Sequence, residues 1–455
     1  MSQKSDIKPL FLHRIPLNSY KHMKKYLVLC SLICGAAFAQ NTANIFTSDI
    51  DHFWTAYDHI QKTDDLSQKL RLLNDLYLSK QTKGLKAFRE ARHYTDTLYV
   101  QLIHDYPKFW NSIRPNTLTI KDKTAELKQA VEKLRQHYPG LKDAEMYFTI
   151  GGLRSGGTVA DRMVLVGAEI ATGDATVDVS EFKDGWLRNA FSRQTLDNIV
   201  YLNLHEYIHT QQNGGNNRVL NQSIKEGSCD FIAELVLGSP IQTHYLTYGR
   251  FHAQQVQQLF KQEMFSYNTA NWMYNGKRKA EGYDLGYYVG YEICRLYYDK
   301  ATDKQQALKD IIELNYSDND AVEDFLVRSG YFNEKINKKQ LLKAYNKKLP
   351  YVVRTGPFKN GSHNVPADTK EVSITFSAEM DPNSMSISFS DKGRDHFPIT
   401  RIKGFENNNT TLVLFMELQP DTEYEFIVTN RDFKSKDGYP LKDEAYTVAF
   451  KTTRL

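Results

Sequence analysis

Cysteine is scarce in this chain, with four among 455 residues. Two of them, Cys30 and Cys34, sit in an N-terminal segment that reads as cleavable, so at most one disulfide can form in the body of the protein. Whether Cys229 and Cys294 pair or stay as buried thiols is open at this level. Long hydrophobic runs are also missing. Beyond Tyr26 to Ala36 nothing approaches the ~20 apolar residues of a membrane span, which leaves no bilayer-spanning segment after cleavage. Excess positive charge is missing too, once the leader is set aside. Residues 1–39 hold six Lys/Arg and one Asp, so the formal +4 of the whole chain becomes about −1 and gives no nucleic-acid signal. There is no internal repeat and no low-complexity tract. The Gly-rich stretch Gly151 to Gly157 fits neither the P-loop nor the dinucleotide pattern.

What is present is chemically pointed. His205-Glu206-Tyr207-Ile208-His209 lies in a segment, Gln194 to Gln212, without Gly or Pro, in which Leu196, Ile199, Val200, Leu204 and Ile208 recur at helical spacing. Residues four apart on a helix stand one above the other, so both imidazoles face one point with Glu206 beside them. After the Gly214-Gly215 turn, Ile224, Phe231, Ile232, Leu235 and Val236 predict a second helix from Ser223 to Leu237, returning antiparallel. It carries Glu226, a third ligand for Zn2+, and one turn on Asp230, placed to accept the second ring N–H of a ligating histidine. Ser223 to Glu226 also fits a capping box, in which Glu226 only bonds the helix N-terminus. Cys229 is expected to point elsewhere.

HExxH followed by a Glu with an Asp four residues on resembles the gluzincin metallopeptidases over Gln194 to Leu237. The resemblance implies His205, His209 and Glu226 as zinc ligands, Glu206 as general base and Asp230 as their outer support. Lys225 stands where that family often has Asn, and the gap from His209 to Glu226 is short for the group. The Gly/Tyr-rich segment Gly282 to Tyr291 is similar to one in bacterial predicted zinc-dependent proteases of unknown function. The implied reaction is peptide hydrolysis: zinc acidifies its water and polarises the carbonyl while Glu206 moves the proton. Tyr283, Tyr287 and Tyr288 are candidates for the oxyanion donor, with Tyr287 assigned; packing between helices is the alternative for each.

Lys24-Lys25, the apolar Tyr26 to Ala36 and Ala37-Phe38-Ala39 form an export signal starting at Met23, with cleavage expected after Ala39. Leu29 and Ile33 are too large for a lipobox before Cys30 or Cys34, so the expected product is a soluble secreted or periplasmic protein. Residues 40–349 are expected to be a mostly helical, zincin-like α+β domain. Its strands Ala144 to Ile150 and Met163 to Gly167 would form a small sheet whose edge pairs with a peptide substrate. The Lys-rich segment Lys335 to Lys348 reads as a solvated helix face before a linker.

From 350 to 455 the pattern becomes strands: Val372 to Phe376, Ser386 to Phe389, Thr411 to Phe415, Tyr424 to Val428 and Tyr446 to Phe450. The phrases Thr375 to Pro382 and Leu418 to Tyr424 resemble bacterial Ig-like domains, which implies an all-β sandwich without activity of its own. The expected function is a zinc metallopeptidase acting on peptide or protein substrates. The rival is a protein that binds a cell-surface or glycan partner, with a structural or degenerate zinc site.

Overall fold

The short strand β1 (Asn44–Phe46) is the first element of the computed structural model, which describes residues 44–183, 185–192, 194–275 and 281–454. The N-terminal extension, Met23, Cys30, Cys34, the export signal and its cleavage after Ala39 lie outside these residues. After β1 come α1 (Ser48–Ile60), α2 (Leu66–Leu76), α3 (Lys83–Arg92), α4 (Asp96–Asp105), α5 (Pro107–Leu118) and α6 (Ile120–His137). Then follow β2 (Glu145–Thr149), β3 (Gly157–Ala160), β4 (Met163–Gly167), α7 (Ala168–Ala171) and α8 (Gly185–Phe191). Side-chain oxygens of Asp65, Thr82 and Thr95 cap α2, α3 and α4 by accepting backbone N–H groups that the helices leave unpaired. Pro115 lies inside α5. Burial of Phe109, Trp110, Ile113 and Thr117 along one face holds that helix together despite the missing donor.

The small sheet is mixed, in the order β1-β2-β4-β3. The two predicted strands β2 and β4 pair in parallel, β1 adds in parallel to β2, and β3 returns antiparallel to β4. β2 and β4 are nearly buried throughout, as apolar strands covered on both faces are.

The site helices are α9 (Ile199–His209) and α10 (Val219–Leu237), followed by α11 (His244–Phe251), α12 (Ala253–Glu263), α13 (Leu285–Lys300), α14 (Lys304–Ile312), α15 (Asn319–Ser329) and α16 (Lys338–Asn346). α10 begins four residues before the expected Ser223 and ends at Gly238, whose φ of 71° is the left-handed stop that glycine allows. Ser223 and Glu226 are therefore interior to the helix, which removes the capping-box alternative.

The C-terminal strands are β5 (Val352–Gly356), β6 (Glu371–Phe376), β7 (Ile387–Phe389), β8 (Ile399–Glu406), β9 (Thr411–Met416), β10 (Glu423–Thr429) and β11 (Ala445–Lys451). They form two antiparallel sheets, β5-β6-β9-β8 and β11-β10-β7. Val372, Ile374, Leu412 and Leu414 of one sheet and Phe426, Val428 and Val448 of the other share one buried cluster. The chain is thus α+β: a mostly helical region with a small mixed sheet, then a β-rich Ig-like region. The two touch through a turn at 435–439. Tyr439 OH donates to Glu263 Oε1 at 2.6 Å, and Asn268 Nδ2 donates to Gly438 O at 2.9 Å. Cys229 and Cys294 are both buried free thiols.

Candidate metal centre and adjoining groove

α9 is held to the sheet by Tyr207, whose hydroxyl oxygen accepts the Ala144 N–H at 3.0 Å at the entrance to β2. This leaves Tyr201, His205 and His209, at successive i,i+4 positions, on the face turned toward α10. α10 in turn lies against α13 at a distance set by missing side chains. A Cβ on Gly227 would come within 2.4 Å of Gly290 C and 2.2 Å of Tyr291 N, and one on Gly290 within 1.7 Å of Ser223 O. The Gly/Tyr-rich segment thus works through its glycines, which bring Tyr287 of α13 beside the paired histidines, 6.4 Å between ring centres from His205.

His205 Nε2 and His209 Nε2 are 3.1 Å apart, and Glu226 Oε2 is 3.2 Å from the second and 3.5 Å from the first. The opposite edge of each imidazole is occupied. His205 Nδ1 is 2.6 Å from Asp230 Oδ1, and Asp230, fully buried, also accepts from Tyr201 OH at 2.6 Å and Tyr245 OH at 2.9 Å. His209 Nδ1 is 2.7 Å from Gln212 Oε1, while the Gln212 amide nitrogen donates to Lys225 O and Ser228 Oγ and so fixes which end faces the ring. Each Nδ1 therefore carries a proton toward an acceptor, and both Nε2 lone pairs converge with a carboxylate oxygen on one point. Three acceptors in such contact repel unless a cation or a proton lies between them.

The electrostatics follow the same geometry. Burial opposes charge on both rings, yet Asp230 and Glu226 around His205, and Cys229 and Glu226 around His209, hold their pKa values well above the ordinary imidazole range. Burial likewise opposes ionisation of Glu226, and the two imidazoles reverse this and pull its pKa far down.

Cys229, expected to point away, does not. Three residues past Glu226 it shares that face of α10, and its Sγ is 3.5 Å from His209 Nδ1. His205, His209 and Cys229 form a buried group that could hold a metal. Cys229 approaches the Nδ1 edge, already used by Gln212, whereas Glu226 meets the Nε2 edge that both rings share. Burial raises the thiol to about 11.

Glu206 is half-buried on α9. Tyr287 is half-buried, with burial and then Glu226 raising its pKa well above that of a free phenol. Tyr283 and Tyr288 are packed rather than presented to the histidines; Tyr283 stacks on His244 with 3.4 Å between ring centres. Sequence reasoning missed Gln212, Tyr201, Tyr245 and Tyr274. The first two carried a signal, three residues after His209 and four before His205. Tyr245 and Tyr274 come from separate segments and had none. Tyr274 OH lies 3.4 Å from Glu226 Oε1, on a backbone with φ of 55°.

Beside the histidines a groove of about 900 Å3 is lined by residues of α8, α9 and α11, by Tyr274 and by Glu281 to Asp284. Tyr201, Tyr245 and Tyr274 belong to both its wall and the histidine cluster.

Residues 39–282 match the family described as gliding motility protein GldB, and residues 346–452 match the bacterial Ig-like domain. The second match agrees with the resemblance seen in the C-terminal strands. The first overturns the gluzincin and peptidase reading, and with it the catalytic expectation. The family is one of gliding motility lipoproteins, associated with the cell envelope, and not of known enzymes. It also overturns the preference for an unanchored product. No helix among the described residues is long and apolar enough to cross a membrane. The physical reason for the misreading is that HExxH with a downstream ExxxD specifies where donors converge, not what reacts there.

No curated protein matches the chain. Among solved structures, CopC from Methylosinus trichosporium OB3b is 21% identical, covering 23% of this chain and 94% of its own, with a TM-score of 0.18. Domains 1–6 of the surface layer protein SbsC are 13% identical, covering 61% of this chain and 42% of their own, with a TM-score of 0.18. The N-terminal part of the same bacterial S-layer protein is 13% identical, covering 90% and 77%, with a TM-score of 0.17. Likenesses this weak bear on neither fold nor function.

Proposed function

Because the chain belongs to the gliding motility protein GldB family, we propose that it is a cell-envelope binding component of the gliding apparatus, with a structural metal at its centre. The observation that carries this reading is the family match over 39–282, a span that contains both histidines, Glu226 and Asp230. We place export on Lys24 to Ala39, the mature chain on the periplasmic or outer side, the helical domain at 40–349 and an Ig-like sandwich at 350–455. Tight packing of both C-terminal sheets on one core supports the sandwich, and its exposed faces suit contact with another envelope molecule.

For the metal we take His205, His209 and Glu226 as ligands, with Asp230 and Gln212 orienting the two rings. The separations of 3.1, 3.2 and 3.5 Å among the three donor atoms support this choice. Donors of a tetrahedral zinc stand roughly 3.3 Å from one another for bonds of about 2.0–2.1 Å, and imidazole with carboxylate suits Zn2+. Bound there, the ion would cross-link α9 to α10 and contribute folding free energy. A structural role makes no demand on Glu206 or Tyr287.

Elemental mass spectrometry of the purified protein tests the site. About one zinc per chain is expected, retained in Cys229→Ser and lost in His205→Ala and Glu226→Ala. Restoration of gliding to a strain lacking the protein tests the role: Glu206→Gln should restore it as wild type does, and His205→Ala should not. Absence of metal after zinc repletion removes the centre. Loss of gliding in a Glu206→Gln protein that keeps its metal removes the structural assignment.

A further inference from the structure

One edge of the C-terminal sandwich is not closed. On β7, Ile387 and Phe389 stand directly opposite Val428 and Phe426, so they share the face that those two residues bury completely. On β8, Ile402 stands opposite Leu414, which is also fully buried. These are core-facing positions, yet Phe389 is 50% and Ile402 43% exposed. A cleft of about 580 Å3 opens here, lined by Ile387 and Ser388 of β7, by Phe397 and by Ile399 to Ile402 of β8. Neither outer edge has a neighbouring strand among the described residues, because β7 pairs only with β10 and β8 only with β9. The outer edge of β11, by contrast, is covered by the segment 360–365, in which Gly361 N–H donates to Ala449 O at 2.7 Å and Val365 N–H to Lys451 O at 3.0 Å.

An open apolar edge of this kind is a template for strand addition, in which main-chain hydrogen bonds extend the sheet and alternate side chains enter a pocket. β7 is the usable template. Its register with β10 runs unbroken, whereas the ladder of β8 shifts twice, between Ile399 and Arg401 and between Ile402 and Gly404. The rim sets the charge of the partner. Arg401 and Arg431 line the cleft, there is no Asp or Glu among its described lining residues, and neither arginine forms an ion pair with a described residue. The Arg401 guanidinium instead lies 4.3 Å from the centre of the Phe415 ring. A second copy would bring the same two arginines to the joint, which disfavours self-pairing. We propose that an extended acidic segment of a partner protein adds as a strand to β7, with apolar side chains in the cleft and carboxylates on Arg401 and Arg431. The proposal rests on the reading of the chain as an envelope binding component and names its docking edge and the chemistry of its partner; it does not depend on the metal.

The full chain is titrated, by fluorescence anisotropy, into three fluorescein-labelled nonapeptides. One alternates Glu and Val, the second alternates Lys and Val, and the third is the Glu/Val peptide N-methylated throughout, which keeps its charge but has no main-chain donors. Saturable binding of the Glu/Val peptide is expected, with the other two weaker by about tenfold or more. The double variant Arg401→Glu, Arg431→Glu should weaken it by a similar factor. Both arginines are exposed, so thermal unfolding should be unchanged, which separates lost contact from lost fold. Arg354→Glu makes the same charge change at an exposed position of β5, on the far edge of its sheet, and should leave binding as it is. No binding of the Glu/Val peptide, equal binding of the N-methylated peptide or by the double variant, an equal loss in Arg354→Glu, or equally tight binding of dextran sulfate overturns the proposal. Restoration of gliding to a strain lacking the protein keeps the two readings apart. A chain that restores gliding but binds no peptide sinks only the docking edge, and one that binds the peptide through the two arginines without restoring gliding sinks only the gliding role.

Discussion

Replacing Gly290 with alanine tests how the site is held together. The added Cβ would stand 1.7 Å from Ser223 O and 2.5 Å from Ser223 C, all backbone, so no side chain can swing aside. A carbon and a carbonyl oxygen rest at about 3.3–3.6 Å, so α10 and α13 must part by roughly 1.6 Å along that line. A gap of 0.5–1 Å already forfeits a quarter to a half of a dispersion contact, and overpacking alone costs about 1–3 kcal/mol. The expected loss is about 3 kcal/mol or more, which lowers Tm by roughly 5 °C or more if the helical region of about 310 residues unfolds as one unit. Because α10 carries Glu226 and Asp230, zinc content should fall with it. Gly227→Ala pushes on the same contact from the other side, with a Cβ 2.2 Å from Tyr291 N. The double variant should cost less than the sum, since one separation relieves both clashes. Gly185→Ala, with nothing within 4 Å of its Cβ, is the neutral control. Thermal unfolding followed by circular dichroism reads all four. A Gly290→Ala protein within about 0.5 kcal/mol of wild type would refute the close approach and the placement of Tyr287 that depends on it.

Two further outcomes follow from buried charge. Glu169 is completely buried, and its carboxylate accepts the Gly151 N–H at 2.8 Å and the Leu153 N–H at 3.3 Å, yet burial outweighs these bonds and raises its pKa from 4.5 to about 7. Between those values the native state keeps a proton that the unfolded chain has released, so stability falls as pH rises across the window, by about 3 kcal/mol in all, and is flat above it. Glu169→Gln should remove that slope in denaturant titrations at pH 4.5 to 8, and an unchanged slope would show that the group titrates normally. Arg218 is 2% exposed, pairs with Glu323 Oε1 at 2.5 Å and stacks over Phe265. Glu323→Ala strands that guanidinium in the interior and should cost about 3–5 kcal/mol by urea unfolding; a cost under about 1 kcal/mol would mean that water reaches it.

How much of this was legible depended on whether the signal was local. β6 alternates buried and half-buried residues from Glu371 to Phe376, and its strand could be read directly. β8 was missed because its register shifts between Ile399 and Arg401 and again between Ile402 and Gly404, which breaks the period of two. β5 carries a similar shift between Val352 and Arg354. β1 is three residues long and β3 begins in the Gly-rich stretch, so neither offers a pattern. Cys229 was misplaced although its position three residues after Glu226 put it on the same face. The function was not legible in the motif at all. Ligand geometry constrains a few side chains on two helices, while the family match runs over 39–282, most of it remote from those helices.

The tyrosines give the centre a consequence that a ligand count does not. Asp230 is the only acceptor among the described residues for the His205 Nδ1 proton, and both of its oxygens are also engaged by phenols, Tyr201 on Oδ1 and Tyr245 on Oδ2. Those phenols line the groove. An occupant that takes hydrogen bonds from either hydroxyl competes with Asp230 for them and leaves more of the carboxylate's charge to His205. One that packs against the rings without using the hydroxyls holds all three groups where they are. Groove and centre therefore share a single buried carboxylate, and because hydrogen bonds at low dielectric strengthen or weaken together, a change at one is felt at the other without any helix having to move.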